Sequence, residues 1–194
     1  MHTDPYSLAL ALLAGIALAA ACGLRAFLPL LALGLAARFL RIELQPSLAW
    51  VAGDVALVTL GAATVLEIAG DKVPVLDHVL DVAATLVRPV TATVAAYGLL
   101  VHWPTPWAQI LAVLLGGSAL ALHAAKAKTR VGSTVVSGGA ANPVLSVIED
   151  VVSFALVAVA FLAPLLVALV LVFAFWLFTR AGRARRARRE NPAT

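Results

Sequence analysis

Apolar runs long enough to cross a membrane recur from one end of this chain to the other, at roughly 7–22, 26–40, 48–69, 75–101, 107–125, 144–162 and 165–179. A spanning helix needs about 20 mainly apolar residues, so nothing is left from which to build a soluble domain. Composition agrees, since 62% of the 194 residues are apolar and 12% charged, against about 25% charged in an ordinary soluble domain. The fold class that follows is all-α: a polytopic helical membrane protein, with a single transmembrane domain over 1–179 and a basic tail over 180–194. The bilayer is its first partner. The opening MHTDPYSLALALLAGIALAAA lacks the positive start of a secretory signal and reads as a retained first helix. Alanine and glycine recur throughout, as in LAGIALAAACG and LLGGSALALHAA, and small residues let helices approach closely in lipid.

Charge supplies the orientation. The net charge of +4 is misleading, because Arg180, Arg183, Arg185, Arg186, Arg188 and Arg189 crowd into ten residues. A nucleic-acid surface would spread its cations over a face with polar and aromatic neighbours, so nucleic acid is excluded as a partner. Positive segments stay cytoplasmic, which puts the carboxy terminus inside, where the arginines are drawn to anionic lipids. Lys126, Lys128 and Arg130 then mark a second inside loop, and Arg38 with Arg41 a third. The HWPTPW stretch at 102–107 has two tryptophans and no Lys or Arg, as expected outside. Trp50 and Trp176 read as interfacial anchors. The lone cysteine, Cys22, reads as a small apolar residue in a packed helix.

With the Arg41 end inside, helix 48–69 delivers Asp71 and Lys72 outside, and 102–107 lies outside too. Segment 75–101 would therefore have to pass an even number of times. Each half, 75–87 and 89–101, is only about 20 Å long at 1.5 Å per residue, which points to a re-entrant hairpin turning at Arg88-Pro89. The sequence also repeats itself. PVLDHVLDV at 74–82 aligns with PVLSVIEDV at 143–151, and in this topology the copies enter from opposite sides, the arrangement of an inverted repeat around a midplane site.

Charged groups inside spans are costly and are candidates for function. Glu67, Asp71, Lys72, Asp77 and Asp81 cluster in one segment. Asp77 and Asp81 are four apart, on one helical face, with Arg88 seven beyond. They suit a carboxylate pair for a cation or proton, or an Asp81–Arg88 pair that locks the hairpin. In the second cluster, Asn142-Pro143 reads as a helix cap and first residue. Ser146, Asp150 and Ser153 share one side, and Glu149 calls for a distant partner, Arg25 or Lys72. Arg25, between two apolar runs, calls for an acid such as Glu67 or Glu149, unless it snorkels from a helix end. The glycine-rich stretch before that helix could hold an anion, assisted by the three cations at 126–130, but topology is the favoured account of the lysines. No metal is assigned, and no cofactor is expected.

An enzyme fits less well. Paired DxxxD acids suggest the magnesium sites of CDP-alcohol phosphatidyltransferases, but that motif wants glycine where this chain has Val73 and an Asp-Gly…Ala-Arg segment where it has GAATVL. No Gly-x-Ser-x-Gly elbow occurs, and His78, His102 and His123 are scattered. Four segments do carry a likeness: GLRAFLPLLAL at 23–33, EIAGDKVPVLDHVLD at 67–81, HAAKAKTR at 123–130 and SGGAANPVLSVIED at 137–150. Over most of 10–165 the chain resembles a bacterial family of integral membrane proteins described as domain of unknown function 4126. The resemblance implies an all-helical protein of the bacterial inner membrane and brings no activity or ligand. It directs attention to Arg25, Pro29, Glu67, Asp71, Lys72, Pro74, Asp77, Asn142, Pro143, Glu149 and Asp150, which fall in its motif segments.

The functional expectation is a small inner-membrane transporter or channel-like protein. Its intramembrane polar site would be built from Arg25, Glu67, Asp71, Lys72, Asp77, Asp81, Arg88, Asn142, Ser146, Glu149 and Asp150. The ligand is a small solute, an ion or a lipid headgroup, and a homo-oligomer is compatible with the sequence. The alternatives are a membrane enzyme acting on a phospholipid or polyprenyl phosphate, and a scaffold that transports nothing.

Overall fold

The computed structural model describes residues 5–71, 74–138, 141–162, 169–170, 173–178 and 180, with the backbone alone at 5–6 and 74–82. The side chains of Lys72, Asp77, His78 and Asp81, and the tail at 181–194, lie outside the described residues. The elements are α1 (Pro5–Leu24), α2 (Leu28–Phe39), a 3-10 segment (Pro46–Ala52), α3 (Asp54–Gly70), α4 (Pro74–Leu99), α5 (Thr105–Ser137) and α6 (Asn142–Leu162). The described residues contain no strand. Ser7–Leu24, Thr105–Ser137 and Asn142–Leu162 are each long and apolar enough to cross a membrane. The 3-10 segment and α3 qualify together as a fourth span, bent by 64°, whereas α2 is short.

Contacts fix the two ends of the bundle. At the first, Trp103 Nε1 donates to the Leu8 carbonyl at 3.1 Å. Gln45 bonds Gly98 through its backbone and Leu100 through its side chain, both at 3.0 Å. His102 stands 3.5 Å from Glu43 at the same end. At the second end, Arg25 after α1 meets Asp71 after α3, and Asp71 meets Arg130 on α5. Helices α1, α3 and α5 therefore run from the first end to the second, and α2, α4 and α6 return.

This arrangement corrects the hairpin. Helix α4 continues through Arg88 and Pro89 without turning back, from the second end to the first. The parity that demanded a turn came from treating Arg38 and Arg41 as an inside loop opposite 102–107, but both segments lie at the first end. Arg38 is paired there with Asp54 on the surface, so this arginine serves local pairing. The missing N–H of Pro89 removes one helical hydrogen bond, and packing carries the helix past it. Ala92, Ala95 and Ala96 are fully buried, and Thr93 Oγ1 donates to the Pro89 carbonyl at 2.8 Å. The two repeated segments likewise open α4 and α6 from the same end, so they do not enter from opposite sides.

Small residues set the helix spacing. A Cβ on Gly116 would stand 2.0 Å from Thr93 Oγ1 and 2.7 Å from the Pro89 carbonyl oxygen, so the close approach of α5 to the α4 backbone at this point requires glycine. Gly116→Ala is expected to lower stability by about 1–3 kcal/mol, the usual cost of overpacking. Adding Thr93→Ala should recover only part, because the Pro89 carbonyl remains. Gly117→Ala, where a Cβ meets nothing within 4 Å, should leave stability unchanged or raise it by up to about 1 kcal/mol, since alanine replaces glycine inside a helix. Thermal unfolding in detergent reads all three.

Candidate functional site

The site grows from the break between α1 and α2. A helix C-terminus leaves its last carbonyls without intrahelical donors, and here cations from other helices supply them. Arg88 on α4 donates to the Gly23 carbonyl at 2.9 Å, and Lys126 on α5 reaches the Leu24 carbonyl at 3.5 Å. Across the break, α2 starts with no side-chain cap of its own at Phe27. Glu67 on α3 takes that part from 40 residues away: its Oε1 accepts from the Ala26 N–H at 2.8 Å and its Oε2 from the Phe27 N–H at 3.2 Å. A carboxylate at a helix N-terminus is also favoured by the helix dipole.

Arg25 lies within the break and is fully buried. Its Nη1 pairs with Asp71. Its Nη2 donates to Ser146 Oγ at 3.1 Å and stands 2.6 Å from Asp150 Oδ1. One guanidinium thus joins the end of α3 to α6. A second knot adjoins it. Arg130 grips Glu149 through Nε at 3.3 Å and Nη2 at 2.8 Å, and that Nη2 is also 3.2 Å from Asp71. Lys126 Nζ is 2.9 Å from Glu149 and 4.0 Å from Asp71. Arg88 closes the cluster, 3.6 Å from Glu67 and 2.6 Å from His123 Nδ1. A guanidinium can only donate, so His123 accepts at Nδ1. Its proton is thereby assigned to Nε2, 3.3 Å from Thr85 Oγ1.

Four cations (Arg25, Arg88, Lys126, Arg130) thus face four carboxylates (Glu67, Asp71, Glu149, Asp150). Each ion loses solvation worth several kcal/mol on burial, which pairing repays only with good geometry. Among the described residues no group of three or more His, Cys, Asp or Glu side chains is placed to hold a metal ion. Beside the network, a cavity of 270 Å³ opens between α3 and α4. Apolar side chains form its walls, and Glu67, Asp71 and Arg88 line its inner end.

Seven sequence candidates meet here: Arg25, Glu67, Asp71, Arg88, Ser146, Glu149 and Asp150. Several partners differ from expectation. Arg25 takes Asp71 and Asp150 in place of Glu67 or Glu149, because Glu67 is occupied with the start of α2. Glu149 takes Lys126 and Arg130 in place of Arg25, because α5 continues as helix beyond its apolar run and carries those cations inward; the other expected partner, Lys72, lies outside the described residues. Asn142 stands apart. It is already helical, and its Nδ2 bonds Thr134 Oγ1 at 2.9 Å. Ser146 and Ser153 are buried on one side of α6 with Asp150, and Ser153 Oγ donates to the Ala21 carbonyl at 3.4 Å.

Sequence reasoning missed His123, Lys126 and Arg130. Their signal was helical spacing: Ala112, Gly116, Ala119, His123, Lys126 and Arg130 follow at alternating steps of four and three, and all are buried. Lys128, off that stripe, is exposed and fits the topological reading. No curated protein and no solved structure matches the chain. A family model does, over residues 12–184, a stretch that takes in every residue of the network. The chain belongs to the family described as Domain of unknown function (DUF4126).

Proposed function

We propose that the protein is a small transporter or channel-like protein of the bacterial inner membrane, with the charge network as its solute site. The observation that carries this reading is Arg25: fully buried, set in a helix break, and held by carboxylates from two other helices. Stability alone does not call for such a group, since well-packed apolar residues often replace buried ion pairs at no loss. Broken helices with polar groups at the break are how transporters expose binding groups inside a bilayer. In the same reading the arginine tail is cytoplasmic and held at anionic lipid, each arginine contributing about 1 kcal/mol.

The purified protein in liposomes tests this. Labelled inorganic cations, inorganic anions, amines and amino acids are offered in turn. At least one is expected to enter saturably, and Asp150→Asn should slow its uptake about tenfold or more, the effect of losing one charged contact. Uptake of none of them, or undiminished uptake by Asp150→Asn, would overturn the proposal. Magnesium-dependent turnover of a phospholipid or polyprenyl phosphate without uptake would favour the enzyme reading in its place.

A further inference from the structure

The cavity between α3 and α4 has a shape and a charge that select a ligand class. Its walls include Ala63 and Leu66 on α3 with Ala84 and Val87 on α4, and Phe27 from the helix break. Leu66 is 68% exposed, so the mouth opens sideways, onto the apolar outer surface of the bundle. Leu86 and Val90 are exposed on the same helix as Val87. A ligand entering here comes from among lipid chains and must be largely apolar. At 270 Å³, and on the scale by which an apolar cavity of about 150 Å³ holds benzene, it has about ten non-hydrogen atoms.

The inner end sets the head group. Among the described residues two carboxylates and one guanidinium line it, and Glu67 is the most accessible, its side chain 7% exposed against 2% for Asp71 and 2% for Arg88. A carboxylate offers about four lone-pair sites, and Glu67 uses two on the Ala26 and Phe27 N–H groups. Acceptor capacity therefore remains beside the cavity. The Glu67 carboxylate, the most accessible charge there, would repel an anionic head at contact, and an alcohol would bring one donor and no charge.

We propose that this cavity binds a protonated amphiphilic amine, with its hydrocarbon body between α3 and α4 and its ammonium donating to Glu67. This deepens the carrier reading by naming the cargo, and it rests on that reading for transport alone. Binding is measured without flux, so the two can fail separately.

The probe is labelled 2-phenylethylamine, added at neutral pH to the full-length protein in detergent. Saturable binding is expected, about tenfold or more tighter than for uncharged 2-phenylethanol, as a charge-assisted hydrogen bond provides. 3-Phenylpropionate should not compete. Ala84→Leu, which fills the cavity and leaves every charged group in place, should weaken binding about tenfold or more while the protein keeps its elution profile. Glu67→Gln should weaken it likewise. If that variant fails to fold for want of the α2 cap, Ala84→Leu and the ligand series still decide. Absence of saturable binding would overturn the assignment. So would equal affinity for the alcohol, competition by the carboxylate, or unchanged binding in Ala84→Leu.

Discussion

Arg25→Met is expected to cost about 3–5 kcal/mol in reversible unfolding from mixed micelles, the range seen when one partner of a buried ion pair is removed. Asp150 loses the guanidinium 2.6 Å from it, and Ser146 loses its donor. Asp71 is left to Arg130 at 3.2 Å and Lys126 at 4.0 Å. Arg25→Lys should restore only part of the loss. A single ammonium lacks the planar fork that reaches Asp71 through one nitrogen and Ser146 and Asp150 through the other. Full recovery by lysine would show that the site needs a charge and not a bridge.

Two neighbouring cations on α5 are expected to behave oppositely. Arg130→Met removes the forked contact with Glu149 and one of the supports of Asp71, again at about 3–5 kcal/mol. Lys128→Met, two residues away and exposed, should change stability by less than about 0.5 kcal/mol. If orientation were the only business of both, the two substitutions would have similarly small effects on folding. The same unfolding measurement, run on both variants, separates these outcomes.

Much of the bundle can be read from apolar runs, because membrane length fixes helix length. Arg25, Glu67, Asp71, Glu149 and Asp150 are conspicuous for a related reason: an acid or a cation in such a chain must find a partner. Who pairs with whom is less legible, since it depends on which helix ends share a face. Arg38 and Arg41 misled because a cation paired locally, as Arg38 is with Asp54, looks in sequence like one that orients a loop. That error propagated into α4, where Pro89 offered a convenient place to turn. Lys126 and Arg130 were hidden by the opposite mistake. They lie past the apolar run of α5, where helices usually leave the membrane, yet their stripe keeps them turned inward. The likeness of 74–82 to 143–151 reflects two helices opening from one end, and hydropathy alone does not carry that direction.

A double-mutant cycle on Arg25 and Asp150 tests most directly whether these charges form one buried network. The two residues are 125 positions apart in sequence and joined across 2.6 Å. Stability is measured for Arg25→Met, for Asp150→Leu and for both together. The double variant is expected to be more stable than the summed single losses imply, with a coupling of about 0.5–3 kcal/mol, as for residues in direct contact. Additivity within about 0.3–0.5 kcal/mol, the behaviour of independent sites, would contradict the network.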